Sequence, residues 1–337
     1  MNKIPEFNCV DYIHFDTADH FLSYLYLLND HWGNELKCPW VFRGQGDASW
    51  GLVPKAWRKE AYGWLRPTMI SLRSVAEEAW DSLYKGYGQT KNYDKDFVIE
   101  VLTHTTSIFE LTYRFVELAD ELGYSVPGMN TIYSGAEFIR SHEWPSQHYH
   151  ALCSHVFTVA QHHGLPTHLL DWTRNPQFAA FFAADSSWNS FIITGNFTEP
   201  PDLAVWAINL KEISGDIPDA NTLNQLTCPR SEHGFLHAQD ALFLWHPMAD
   251  LFYLQYGHWP DFIEIMEKSY NEGQPKPVRK IILRGRAVND LYRKLLRLRI
   301  SRAHLMPTFD NIAKTLAQSS FLFDLEKELV SDLKVGT

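Results

Sequence analysis

Arg43 follows the apolar run Pro39-Trp40-Val41-Phe42 and precedes Gly44. A guanidinium at the end of a short buried strand is suited to clamp a phosphate or a ribose in bidentate fashion. Gly44 and Gly46 would let a ligand approach the backbone closely. The competing reading is an internal Arg–Asp pair, with Asp171 as the carboxylate, that holds a sheet together. A second concentration of special residues runs from Gln161 to Pro176. It contains a turn at Gly164, a short apolar run, the polar cluster Asp171-Trp172-Thr173, and a helix start near Asn175-Pro176. The segment that follows, Gln177 to Ala184, is built from small and aromatic residues and can pack tightly on a sheet. Asp171 and Thr173 are candidates for ligand contact, while capping of the next helix is the structural alternative. Trp172 offers a stacking face for a planar ring, and a place in the core is the alternative.

Other chemistries find less support. Seven of the sixteen histidines lie between His142 and His168. His162, His163 and His168 with Asp171 are the residue types of a zinc site. No His-Glu-x-x-His is present, however, and adjacent histidines point apart, so no metal is expected. Gly44-x-Gly46 followed by Gly51 lacks the dinucleotide spacing G-x-G-x-x-G, and no Walker A motif occurs. No Gly-x-Ser-x-Gly elbow is present either.

These residues need elements to position them. Asp16 or Thr17 can cap a first helix carrying Phe21, Leu22, Leu25, Leu28 and Trp32. Pro39 to Arg43 reads as a strand and Gly44 to Gly51 as a loop. From about 67 to 163 the pattern is helical. One long helix is expected over Phe97 to Leu122, stopped by Gly123, and another from near Ser146 to His163. Short apolar segments read as strands at Thr167–Leu170, Phe191–Thr194, Ala204–Ile208, Ala241–Trp245 and Val278–Leu283. Helices over Asn289–Leu298 and Asp310–Leu329 follow. The pattern is α+β, a single domain over 1–337. A large helical insertion (about 67–163) separates the first strand from the rest, and a helical tail covers about 310–337.

The chain has 337 residues, 45% of them hydrophobic, with 12 Trp, 15 Tyr and 21 Phe, which argues against disorder. No apolar run approaches the roughly 20 residues that span a bilayer. The first ten residues lack the pattern of a signal peptide, and the four cysteines are far apart. The chain therefore reads as a cytoplasmic protein with reduced thiols. Net charge is −10, which opposes indiscriminate binding to nucleic acid. The stretch Lys276–Arg302 is the exception, with ten basic residues and one acidic residue, Asp290. It is either a solvated face or a patch for an anionic target.

Three motifs in order resemble the FRG domain family. They are Val41-Phe42-Arg43-Gly44-Gln45, Gln161 to Thr173 with Asn175-Pro176 and the Ala/Phe helix, and Ile300-Ser301-Arg302-Ala303-His304-Leu305-Met306-Pro307. The resemblance covers roughly Asp16 to Leu316. The family's Gln-Gln-Gly-x-Phe motif has its nearest counterpart in Gln239-Asp240-Ala241-Leu242-Phe243, which lacks the glycine and carries Asp240 for the second glutamine. His168 stands where the family often has Arg.

FRG domains in turn look like distant relatives of ADP-ribosyltransferases. Those enzymes place an Arg or His on an early strand, a Ser/Thr strand end before a packed helix, and a late Glu or Gln near the reacting ribose. The resemblance implies an ADP-ribosyltransferase-like fold of small mixed or antiparallel sheets, and NAD as substrate. Arg43, Thr173, Gln239 and Asp240 become the candidate catalytic residues. Arg43, Gly44, Gln45, His163, Asp171, Trp172 and Thr173 become the candidate NAD contacts, and Glu232 is the nearest glutamate if a carboxylate is required. FRG domains are associated with bacterial toxin and phage-defence settings. The resemblance therefore implies a self-harming effector that modifies RNA or DNA through Lys276–Arg302, or less readily a protein, and that needs a neutralising protein partner. The rival expectation is a non-enzymatic module that binds a nucleotide or a partner.

Overall fold

One seven-stranded sheet organises the chain, in the order β1-β7-β4-β2-β3-β6-β5. The strands are β1 (Val10–Phe15), β2 (Trp40–Gln45), β3 (Leu170–Thr173), β4 (Leu203–Asn209), β5 (Asn224–Leu226), β6 (Ala241–Trp245) and β7 (Val278–Leu283). Pairing is parallel between β1 and β7 and antiparallel at every other junction, so the sheet is mixed. The computed structural model describes residues 6–78, 80, 93–130, 132–133, 154–194, 200–213, 223–226 and 240–320.

Both faces of the sheet are covered, which is why β4, β6 and β7 read as near-continuous apolar runs rather than as alternating ones. The pleat sends Phe42, Val205, Ala207, Ile281 and Leu283 to one face. There they meet α1 (Ala18–Tyr24), α5 (Pro176–Thr194) and α9 (Val288–Arg297). Val41, Trp206, Ile208, Leu242 and Leu244 point the other way. They pack on α6 (Leu210–Ile213), α7 (Ala249–Tyr256) and α8 (Phe262–Ser269) through Ile213, Phe252, Phe262, Ile265 and Met266. A third cluster joins the insertion helices α2 (Tyr62–Glu78), α3 (Lys95–Glu121) and α4 (Ser154–His162) to Leu169, Ala241, Phe243 and Trp245.

The helix α5 lies unusually close to β2. A Cβ at Gly44 would sit 1.9 Å from the Ala179 carbonyl oxygen, and one at Gly46 would sit 2.4 Å from the Ser187 nitrogen. The two glycines therefore serve helix–sheet contact, where the sequence also allowed them to admit a ligand. The alanines of α5 complete the close fit, since Ala179, Ala180, Ala183 and Ala184 are all fully buried.

Most expected elements are present. Thr17 caps α1 by accepting from the His20 amide, and α3 runs within two residues of its expected span. Strands β4, β6 and β7 and helix α9 fall where expected. Helical turns also cover 309–320 at the start of the expected tail; residues 321–337 lie outside the described residues, as do 146–153.

Other expectations are corrected. The strand expected at Thr167–Leu170 forms three residues later, as Leu170–Thr173, because its partner β6 begins pairing at Leu170. Phe191–Thr194, expected as a strand, is the last turn of α5. A helix already propagating past Trp188 carries that β-branched run with it. The first strand of the sheet is β1, so Trp40–Gln45 is the second, and the helical insertion separates β2 from β3. The expected set of small sheets is one continuous sheet.

Asp250 on α7 joins the insertion to the sheet layer by accepting from the Thr105 hydroxyl at 2.7 Å. Burial pushes its pKa up to about 6. A carboxyl whose folded pKa is raised contributes stability that is fully present below the unfolded value near 4 and is lost as pH rises through 6. The Asp250→Asn chain keeps the acceptor without the buried charge. It is expected to be more stable than wild type at pH 8, by roughly 2–3 kcal/mol, and equal to it below pH 4, as read from urea unfolding at the two pH values.

Candidate functional site

The sheet pulls apart between β2 and β3. These strands share a single bridge, Phe42 with Thr173, whereas β2 and β4 pair continuously from Trp40 to Gln45. Arg43 fills the gap. Its NH1 donates to the Asp171 carbonyl at 2.8 Å and to Asp171 Oδ2 at 2.9 Å. The guanidinium is mostly buried, with 16% of the side chain exposed, while the Asp171 side chain is 54% exposed. Asp171 Oδ1 accepts from the Gln161 amide at the end of α4, and Gln161 Oε1 accepts from the Thr167 hydroxyl. The internal Arg–Asp pair is therefore present, and it lies at the mouth of a cleft.

That cleft has a volume of about 470 Å³ and is lined by Arg43, Gly44, Gln161, His163 and Asp171-Trp172-Thr173, among others. This lies in the range of roughly 300–1,000 Å³ typical of small-molecule sites. The third motif closes it, through Arg302 and Met306. Ser301 caps the short helix α10 (Arg302–Leu305), and Arg302 pairs with Asp185 of α5. Asp185 is 2% exposed and also accepts from Gln318 Nε2 at 3.1 Å. Tyr292, whose hydroxyl donates to Gln318 at 2.7 Å, has its pKa raised by this burial and by the Asp185 charge. The buried carboxylate thus ties α5, α9, the closing motif and the C-terminal helical turns into one wall.

The remaining candidates sort by position. Thr173 Oγ1 accepts from the Asn175 amide, while Asn175 Oδ1 accepts from the Gln177 amide at the start of α5. Asn175 is the cap, and Thr173 shapes the turn before it. Trp172 is 2% exposed and packs mainly in the core, although it reaches the cleft, and its buried indole nitrogen has no hydrogen-bond partner among the described residues. His163 stacks on Phe115 and stands edge-on to His162. Gln45 does not line the cleft; it is buried, donates to the Gly51 carbonyl and accepts from Trp206 Nε1. Asp240 has a left-handed backbone (φ 47°), and its carbonyl accepts from the Arg174 amide. Ala241, which follows it, pairs with Thr173. Gln239 and Glu232 lie outside the described residues.

Gln161 and Arg302 were not singled out by residue type. Both nevertheless sit inside the quoted motifs, which is the signal that would have found them. Arg58, just beyond the turn Lys55–Trp57, is a further cation close enough to feel the Arg43–Asp171 pair. Burial and the Arg43 charge lower its pKa, and Asp171 opposes them.

The basic stretch Lys276–Arg302 is largely engaged with the fold. Lys276, Arg284, Arg286, Lys294 and Arg302 pair with Asp11, Asp202, Asp16, Asp19 and Asp185. Arg279 lies over Trp32 and Trp40, and Lys280 over Trp206, where burial lowers its pKa to about 8. Arg297 and Arg299 are exposed.

Residues 130–190 match the FRG domain family. The matched stretch carries the second motif and most of α5, so the FRG relationship is borne out there. The first and third motifs lie outside it and join it in space at the cleft. No curated protein and no solved structure matches the chain.

Because Arg43 bridges two strands, its loss has a structural cost. Arg43→Ala is expected to destabilise the chain by about 1–3 kcal/mol, the usual cost of losing charge-assisted hydrogen bonds from a largely buried donor. Asp171→Asn keeps the carbonyl acceptor and is expected to cost about 1 kcal/mol or less. Denaturant midpoints of the two variants check the order; a larger loss in Asp171→Asn would place the strength of the bridge in the carboxylate alone.

Proposed function

We propose that the β2–β3 cleft binds NAD and transfers its ADP-ribosyl group to an acceptor macromolecule. One observation supports the reading: Arg43 and Thr173 lie on the adjacent strands β2 and β3, and Asp240 immediately precedes β6, the strand next to β3. Phe42 pairs with Thr173, and Thr173 pairs with Ala241, so the backbones of Arg43, Thr173 and Asp240 lie close together at this end of β2, β3 and β6. The cleft volume also accommodates a nucleotide-sized ligand.

Each residue has a role in this reading. Arg43 is held through NH1 by Asp171, which leaves NH2 to take a phosphate or ribose oxygen. Thr173, fixed by its turn, positions the nicotinamide ribose. Asp240, or Gln239 beside it, contacts the ribose and orients the acceptor. The C1′–N bond breaks with its electron pair passing to the nicotinamide nitrogen, which neutralises the ring's positive charge. An acceptor oxygen or nitrogen then bonds to C1′ and gives up its proton. The transition state has oxocarbenium character, as in glycosyl transfer. Fixed dipoles around the developing charge supply the stabilisation.

Nucleic acid remains the leading acceptor, with Arg297 and Arg299 as exposed cations of the basic stretch that make no ion pair among the described residues. Protein is the second choice. An enzyme that modifies the host's own macromolecules would act as a toxin in a bacterial defence setting, and would require a neutralising partner protein.

NAD labelled in its adenylate half tests the reading. Label is expected to pass to RNA, DNA or protein of a cell extract. Thr173→Ala is expected to cut the rate by roughly 10²-fold while the melting temperature stays close to wild type. Saturable NAD binding with no transfer and no release of nicotinamide would instead identify a binding module.

A further inference from the structure

A second pocket lies away from the cleft, between the turn Lys55–Trp57, the insertion helices α2 and α3, and the segment joining α7 to α8. Its volume is about 190 Å³, less than half that of the cleft. Its walls are ring faces. Trp57 and Trp259 are stacked 7° from parallel with centroids 5.5 Å apart, and Tyr253 and His104 lie against Trp259 at 4.6 and 4.5 Å. Tyr62, at the start of α2, is 45% exposed at its edge. Two cations, Arg58 and Lys59, and one carboxylate, Glu100, complete the lining.

His104 is 6% exposed, and its Nε2 bonds the Ala56 carbonyl at 3.1 Å. That contact makes Nε2 the donor, and burial, which lowers the pKa to about 4, keeps the ring neutral. Nδ1 then carries a lone pair, is buried, and has no hydrogen-bond partner among the described residues.

We propose that this pocket is a second binding site, for a single nucleobase carrying an anionic group, such as a nucleoside monophosphate. The parallel indoles provide a platform on which any base can stack. His104 adds a neutral ring to that platform, 4.5 Å from Trp259. The volume suits one base with little more, and is too small for a dinucleotide. Charge decides between an anionic and a cationic ligand: two cations face one carboxylate, so a phosphate fits where a quaternary ammonium would be repelled. The site stands whether or not the cleft uses NAD.

Isothermal titration of the full chain with AMP tests the proposal. Saturable binding is expected. Trp259→Leu and Lys59→Glu are each expected to weaken it by about tenfold. Lys59 is exposed, so its variant also guards against a folding defect. Binding in wild type is further expected to weaken as salt rises. Absence of saturable binding, or affinity unchanged in both variants, overturns the proposal. So does AMP binding that is lost in Thr173→Ala but kept in Trp259→Leu, which would place the nucleotide in the cleft. Choline binding in preference to AMP would overturn it as well.

Discussion

A single guanidinium spans the place where the sheet parts. Every backbone amide and carbonyl taken out of water needs a partner, and a sheet that opens between two central strands leaves such groups stranded on both lips. Arg43 meets that need from the side chain. One of its nitrogens reaches both the carbonyl and the carboxylate of Asp171, so the gap is held open at a fixed width. A neutral side chain of the same reach could not form an ion pair with the Asp171 carboxylate there. The cleft exists because the ladder stops and because this pair stops it from collapsing.

The bond to Asp171 is the end of a longer chain of contacts. Asp171 accepts from Gln161, and Gln161 accepts from Thr167. The Thr167 carbonyl accepts from the Ala56 amide, and the Ala56 carbonyl bonds His104 of α3. Lys55 adds a bond to the Gly164 carbonyl at 2.5 Å. The helical insertion is thereby wired to the lip of the cleft through side chains and backbone together, and the aromatic pocket shares its Ala56 wall with that wiring. On the opposite lip, Asp185 does the equivalent work for the closing motif.

Much of this was legible from residue types. The run Ala241–Trp245 could only be a buried strand, and the alanines after Pro176 announced a helix packed hard on a sheet. The pair of Arg43 with Asp171 was one of two readings open at the outset, and it holds, beside a cleft as the other reading required. What stayed hidden depended on distant partners. β1 alternates only weakly, and its register is supplied by β7, whose residues lie more than 260 positions along the chain. The glycines of the first motif looked like room for a ligand, since nothing local said that α5 would occupy it. The basic stretch looked like a surface patch because its acidic partners, Asp11, Asp16, Asp19, Asp185 and Asp202, lie far away in sequence. Phe191–Thr194 looked like a strand because short β-branched runs carry no record of the helix that precedes them.

The parallel pairing of β1 with β7 sets a timetable for synthesis. Val10 lies beside Val278, and β7 also borders β4, so the sheet is complete only when the ribosome has passed the last strand. The wall that Arg302 gives to the cleft emerges later still. Long-range pairing of this kind is slow to form, because loop closure must precede any gain from contact. A growing chain therefore carries the residues of the first two motifs well before the third motif completes the cavity that unites them. Whatever the cleft does, it begins to do only after Arg302 has been made, which leaves the synthesising cell an interval in which the chain is present without a finished cleft.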